Sequence, residues 1–234
     1  MATHTGLFRA APNEMRARRV GDRYQDTMGF AVVGPDRFLG SGHPDGREQL
    51  PPFLGLIESG DAGRSWDAIS LQGKVDFHVL EASGRRIYGY GSDFDTRAPQ
   101  FLASADGGRN WRELRAPESV ISLAISPADS NAVVASGESR LFQSEDGGRT
   151  WSPIDGPGVG LLVWLTNGVV LVDLEGRVWQ DTKLEGSWRP IGTVDGLPAA
   201  FDAGPDGELL VALHDGTIKR STDVRRTWAV RARP

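Results

Sequence analysis

An all-β chain folded as a six-bladed propeller is what the sequence predicts, and three observations carry that expectation. A short string recurs: Ser59-Gly-Asp61-Ala-Gly63-Arg-Ser65-Trp66, then Ser104-Ala-Asp106-Gly-Gly108-Arg-Asn-Trp111, then Ser144-Glu-Asp146-Gly-Gly148-Arg-Thr150-Trp151. A decayed copy spans Ser221 to Trp228, and a remnant, Gly186-Ser187-Trp188, lies midway before it. The starts fall 45, 40 and 77 residues apart, a period in the range of propeller blades and solenoids. Each interval also holds four short apolar, β-branched runs broken by Gly, Asp or Pro. No stretch sustains an apolar period of 3.6, so no substantial helix is expected. Radial repetition leaves only short, protected strand edges, whereas an open solenoid needs polar caps and none is visible.

The units follow in order as one domain, 1–234, with blades at about 1–24, 28–70, 76–115, 120–154, 159–191 and 198–230. The first is incomplete. Thr3-His4-Thr-Gly6-Leu7-Phe8-Arg9 matches Leu213-His214-Asp-Gly216-Thr-Ile218-Lys219, but the two runs that precede His214 have no counterpart before His4 beyond a stub at Met1 to Thr3. In the second unit, Met28 to Val33 and Arg37 to Ser41 read as strands, followed by the long loop 42–52 and the run Phe53 to Glu58. The third repeats the plan with Phe77 to Glu81, Arg86 to Tyr90, a loop over 91–100, and Phe101 to Ser104. The remaining units have tight loops at Gly137 to Arg140, Asp173 to Gly176 and His214 to Gly216.

With 31 acidic against 26 basic residues and no long block of one sign, a dedicated nucleic-acid surface is not expected. A local basic cluster remains at Arg16, Arg18 and Arg19, and a basic pair at Arg225-Arg226. The absence of cysteine excludes disulfides, thiolate catalysis and thiolate metal sites. No run approaches the roughly 20 apolar residues of a membrane span. The N-terminus has no apolar core of a signal peptide. The chain as given therefore reads as cytoplasmic, and as exported if it comes from a longer precursor.

The recurring string has a physical reason. Ser and Asp two apart satisfy the backbone groups of a tight corner, and Gly108 and Gly148 supply positive φ. The Trp then offers a large apolar face between neighbouring blades. A turn copied in several blades is a scaffold feature, not a unique active site. These strings resemble the Asp-box, or BNR, repeats, and the chain is similar to the sialidase-like Asp-box propeller superfamily. Within it, Ala2-Thr-His4-Thr-Gly-Leu-Phe-Arg9, Phe38-Leu-Gly-Ser-Gly-His43-Pro-Asp45 and Leu56-Ile-Glu-Ser59 resemble a bacterial group labelled as glycosylhydrolases. Relatives of that kind include sialidases, xyloglucan-cleaving enzymes, receptors and an assembly factor, so the resemblance implies the fold and leaves activity open. Sialidases share an Arg-Ile-Pro phrase near the start. Here the nearest string is Arg86-Ile87-Tyr88, and sialidase activity is not expected.

Naming the strands of a blade a to d from inside outward puts the boxes in c–d turns. The b–c and d–a loops then lie at the other end, with all four histidines, His4, His43, His78 and His214, and both long loops. The candidate catalytic residues are His43, Asp45, Asp76 and His78. Pro44 biases His43 toward an extended backbone, Asp45 is placed to orient its ring, and Asp76 to favour a charged His78. Candidate ligand-binding residues are His4, Tyr88, Tyr90, Asp93, Asp95 and His214. Tyr88 and Tyr90 share one side of a strand and suit sugar stacking or the core equally. The leading reading is a glycosidase-like hydrolase acting on a carbohydrate or glycoconjugate at this end. The alternatives are a non-catalytic binding or assembly propeller, and a lyase, isomerase or cyclase using the same residues. No cofactor is expected, a divalent metal being the one group that such oxygen and nitrogen donors would take. The expected partner is a small molecule or carbohydrate, with no nucleic acid and no membrane span.

Overall fold

The computed structural model describes residues 1–204, 206–222 and 227–233. The chain forms six antiparallel sheets in two compact units. The first unit (Met1–Arg9 and Arg18–Ala116) holds a three-stranded sheet, β1 (Ala2–Thr3), β2 (Gly6–Arg9) and β3 (Arg18–Arg19). Beside it are two four-stranded sheets: β4 (Asp26–Val32), β5 (Phe38–His43), β6 (Leu56–Ser59) and β7 (Asp67–Ser70), then β8 (Val75–Ser83), β9 (Arg86–Asp93), β10 (Pro99–Ser104) and β11 (Arg112–Leu114). The second unit (Ala10–Ala17 and Pro117–Pro234) holds three four-stranded sheets. Their strands are β12 (Val120–Ile125), β13 (Val133–Gly137), β14 (Leu141–Ser144), β15 (Ser152–Ile154), β16 (Gly160–Leu165), β17 (Gly168–Asp173), β18 (Arg177–Asp181), β19 (Arg189–Thr193), β20 (Pro198–Ala203), β21 (Leu209–Leu213), β22 (Ile218–Ser221) and β23 (Ala229–Ala232). No helix occurs among the described residues. The class is all-β with six blades, as the repeat predicts, and the first blade has three strands, the stub at Met1 to Thr3 pairing as β1.

Apolar residues of neighbouring sheets meet in clusters. In the first unit Leu39, Leu56, Phe77, Leu80 and Leu102 are buried together, with Trp111 packed against them. In the second, Leu141, Leu162, Val169 and Leu171 form one cluster with Trp188, and Val172, Val178, Leu209 and Val211 another. The fully buried Leu56 and Leu171 each contribute about 1.5–3 kcal/mol through removal of their side chains from water.

Polar pins tie sheet to sheet. The buried Ser41 hydroxyl on β5 accepts the Phe77 N–H of β8 at 3.0 Å, and Ser136 on β13 accepts the Gly160 N–H of β16 at the same distance. Ser41→Ala should strand the Phe77 N–H, at about 1–3 kcal/mol. In a chain of this length that is a fall in Tm of roughly 3–10 °C, measurable by calorimetry.

The three boxes are superimposable in their bonding. In the copy at 104–111, the Ser104 hydroxyl donates to Asp106 Oδ1 at 2.9 Å and accepts the Gly108 N–H at 2.9 Å. Asp106 Oδ1 also accepts the Arg109 and Asn110 N–H groups, and its Oδ2 the Asn110 side-chain amide. Asp61 and Asp146 hold the same bonds with Ser65 and Thr150, which lower both carboxyls to about 2. Two of these Trp residues reach the preceding blade: the Trp111 indole N–H donates to Ser70 Oγ at 2.9 Å and that of Trp188 to the Asp155 carbonyl at 3.0 Å. The remnant before Trp188 keeps the same device through Asp181, which accepts the N–H groups of Lys183, Leu184 and Ser187. The central positions of the decayed box after Ser221, including Asp223 and the Arg225-Arg226 pair, lie outside the described residues.

Segment Ala10–Ala17 belongs to the second unit. The Arg231 guanidinium donates to the carbonyls of Ala10, Ala11 and Glu14, and Arg16 bridges in parallel to Arg233.

Candidate functional site

Antiparallel order puts the end of each second strand and the start of each first strand away from the boxes. In the first unit this end brings His43, Asp76 and His78 together. His43 closes β5, while Asp76 and His78 stand near the start of β8 in the neighbouring sheet. Both imidazoles meet one carboxylate oxygen: Asp76 Oδ2 lies 3.3 Å from His43 Nε2 and 3.1 Å from His78 Nε2.

A local irregularity makes this possible. On β8, Phe77 pairs with Gly91 and Val79 with Tyr90, leaving His78 as the extra residue of a β-bulge. A bulge re-aims its side chain and often marks a functional site. Met28 on β4, Ile121 on β12 and Ala199 on β20 occupy the same bulged place in their sheets. A recurrent kink of the first strand thus carries a titratable side chain at His78. Equally, Asp26 stands two residues before its bulge, as Asp76 does, and its Oδ1 accepts from His4 Nδ1 of the neighbouring sheet at 2.9 Å.

The two histidines on Asp76 are not equivalent. His43 Nδ1 lies 2.9 Å from the Pro52 carbonyl; a carbonyl only accepts, so that nitrogen carries hydrogen. Both nitrogens of His43 are engaged. His78 uses Nε2 alone, leaving Nδ1 without a partner among the described residues, and its side chain is 49 % exposed. Its pKa is raised above the ordinary imidazole value, first by the hydrogen bond it donates to Asp76, with partial burial opposing, and then by the charges of Asp76 and Asp26. Asp76 itself is buried, and its second oxygen, Oδ1, is enclosed with no hydrogen-bond partner among the described residues.

Asp45 stands elsewhere than beside the His43 ring. Its carboxylate accepts the Tyr24 and Arg47 N–H groups and the Arg47 guanidinium, at 2.6–3.1 Å. Those Arg47 bonds, side chain then backbone, and the Tyr24 N–H hold it far below the usual carboxylate range. It fixes loop 42–52, and Asp76 holds the His43 ring instead. Asp93 likewise caps a turn, its Oδ1 accepting the N–H groups of Asp95 and Thr96 and the Thr96 hydroxyl. Asp95 is exposed in that turn. Tyr88 is fully buried and stacks on Phe101 with centroids 6.1 Å apart, so of its two readings the core one holds; Tyr90 is partly buried on the next outward position of β9. His4 is largely exposed, and His214 lies in the second unit, in the turn after β21.

Around His43 the surface is aromatic and cationic. The His43 ring meets Phe53 edge-on at 5.4 Å, and Phe53 meets Phe94 edge-on at 5.2 Å. The Arg97 guanidinium covers both, 5.3 and 5.2 Å from their centroids. Among the described residues no group of three or more His, Asp or Glu is placed to hold a metal ion. No helix of the described residues is long and apolar enough to cross a membrane.

No family profile matches the chain, and no curated protein matches it either. Solved structures do. YCF48 bound to D1 peptide is 18 % identical with a TM-score of 0.55, covering 87 % of this chain and 67 % of its own. A protein of unknown function from Bacteroides thetaiotaomicron has a TM-score of 0.61 at 9 % identity, over 87 % of this chain and 57 % of its own. An ancestral GH74 enzyme has a TM-score of 0.56 at 14 % identity, over 94 % and 34 %. This chain therefore spans between a third and two thirds of the length of those propellers. Likeness at such identity is likeness of fold alone, and the fold it shows is a β-propeller.

Proposed function

We propose that the chain is a single-domain Asp-box propeller of the sialidase-like kind and a glycosidase-like hydrolase. In this reading it acts on a carbohydrate or glycoconjugate at the His43–Asp76–His78 end. The observation that supports it is the Asp76–His78 pair. A buried carboxylate orients a half-exposed imidazole, raises its pKa and leaves its Nδ1 pointing away from the pair. Such an imidazolium is a general acid for a leaving glycosidic oxygen near neutral pH. Asp26, whose charge His78 feels, is the carboxylate available to activate water. His43, held at both nitrogens, is a positioning residue for Asp76.

One observation favours a second reading, a non-catalytic binding or assembly propeller. Asp45 and Asp93 are consumed by their own loops, so the pair of uncommitted carboxylates that glycosidases ordinarily use is not offered by the expected residues. Release of the chromophore from a panel of aryl glycosides, with calorimetric binding of the matching methyl glycosides, separates the two. Turnover that is lost in His78→Gln with binding retained supports the hydrolase. Binding without turnover across the panel assigns the site to recognition.

A further inference from the structure

Loop 42–52 is held in two different ways along its length. Its first half is fixed by arginine–carboxylate pairs. Asp45 accepts the Tyr24 and Arg47 N–H groups and the Arg47 guanidinium, and Arg23 donates to both oxygens of Glu48 at 2.7 and 2.9 Å. Arginine and carboxylate keep their charges through the neutral range. The second half cannot tie itself. Pro51 and Pro52 have no N–H, and Gln49, Leu50 and Pro51 are exposed and make no hydrogen bond among the described residues. This half is held instead by the Pro52 carbonyl, 2.9 Å from His43 Nδ1, and by Phe53, edge-on to the same imidazole. The other ring nitrogen, Nε2, meets Asp76 Oδ2 of the next sheet at 3.3 Å. One imidazole therefore bridges the second half of the loop to β8.

Both partners of that imidazole are acceptors. A neutral ring carries one hydrogen and can satisfy only one of them, its other nitrogen turning a lone pair toward an oxygen. The charged ring donates at both ends. His4 shows the contrast. It meets Asp26 through Nδ1 at 2.9 Å and its side chain is 82 % exposed, so one hydrogen suffices there. We infer that His43 is a proton-dependent latch. Charged, it fastens residues 49–52 to Asp76; on losing its second proton it lets that half of the loop lift, while residues 45–48 stay in place.

The charged and titratable groups around the ring are Asp76 and His78 on β8, Asp26 opposite His43 on β4, Arg97 over Phe53, and the Asp45–Arg47 pair within the loop. Asp76 is the one in contact with Nε2, and Asp26 is shared with His4. His78 competes for the same Asp76 oxygen, so a test has to tell the two imidazoles apart. The latch is independent of whether the site cleaves its ligand or only binds it. It sets which pH opens the surface beside His78.

Amide hydrogen exchange read by NMR on the full chain at about pH 5 and about pH 8, the range in which histidine changes charge, tests it. Protection factors are compared, so that the intrinsic pH dependence of exchange cancels. The reporters are the Leu54 N–H, bonded to the Gly42 carbonyl, and the Gly73 N–H, bonded to the Phe53 carbonyl, both at 2.8 Å and both at the far end of the loop. The Glu48 N–H, bonded to the Asp45 carbonyl at 2.9 Å, is the reference for the first half. Protection of Leu54 and Gly73 should fall about tenfold from the lower pH to the higher, the worth of one charge-assisted bond, with Glu48 unchanged. His43→Gln, which does not titrate, should flatten that dependence, and His78→Gln should keep it. Asp76→Asn, which removes the charge facing Nε2, should move the fall to lower pH and supplies the test should His43→Gln fail to fold. Protection that is constant with pH, a fall shared equally by Glu48, a dependence that survives His43→Gln, one that vanishes with His78→Gln, or a fall unmoved by Asp76→Asn overturns the inference.

Discussion

Replacing His78 with glutamine should lower kcat on a cleaved aryl glycoside by about 10²–10⁴-fold, the usual worth of a positioned acid–base group. KM should change little, because the imidazole is asked to act on charge that develops at the leaving oxygen. A loss of that size corresponds to roughly 3–5.5 kcal/mol of transition-state stabilisation. The pH profile distinguishes this role from a structural one. The folded pKa of His78 lies above its ordinary value, chiefly because of the Asp76 hydrogen bond. An acid role therefore places the fall of kcat on the alkaline side, above the ordinary imidazole range, and the variant should lose that limb. Stability moves in the same sense. A histidine whose pKa is raised on folding stabilises fully below its unfolded pKa and ceases to do so as pH rises through the folded value. Calorimetry should thus show the His78→Gln penalty near pH 6 and its disappearance near about pH 9. His78 is half-exposed, so solvent screening keeps that stability effect small beside the kinetic one. An unchanged alkaline limb in the variant would remove His78 from the chemistry.

The fold was legible because it is written several times. Ser, Asp, Gly and Trp at fixed spacing solve the same corner in three blades, and the hydrogen bonds of Asp61, Asp106 and Asp146 are one set repeated. The site was legible only in part. Putting the histidines at one end followed from strand order, and Asp76 beside His78 followed from a spacing of two along the chain. The His43–Asp76 meeting did not follow from spacing, since it joins the end of β5 to the start of β8. Asp45 misled for a related reason. Gly-His-Pro-Asp suggests a local His–Asp pair, but Arg47 two residues on offers a better partner and two N–H groups complete it. The bulge at His78 and the Arg97 shelf had no clear local signature. A bulge is defined by its partner strand, and Arg97 acquires its setting from Phe53, far away in sequence. Aligning the first strands by their Asp-to-bulge spacing, Asp26–Met28 against Asp76–His78, would have exposed the odd position.

Gly108→Ala should be the most destabilising single-methyl change in the first unit's boxes, and it shows what the second glycine of the box is for. Gly108 has φ +81, a conformation that costs a non-glycine residue about 1–2 kcal/mol. That is the smaller part. A methyl there would lie 2.0 Å from Leu56 Cδ2, and Leu56 is fully buried on β6 of the preceding sheet. Overpacking of that kind adds about 1–3 kcal/mol, for a total of roughly 2–5 kcal/mol and a fall in Tm of about 5–15 °C. Gly84→Ala is the control: its φ is +59 but no atom lies within 4 Å of the added methyl, so only the backbone cost remains. The same relation holds one blade earlier, where Gly63 faces Leu7 Cδ2 at 2.1 Å. The glycine is therefore a seat for a leucine from the neighbouring blade as well as a left-handed turn residue. A double-mutant cycle tests this directly. In a Leu56→Ala background the steric part of Gly108→Ala should vanish, giving a coupling of about 1–3 kcal/mol between the two positions. Additivity would mean that the glycine serves the turn alone, and that the box could drift in sequence without loosening the contact between blades.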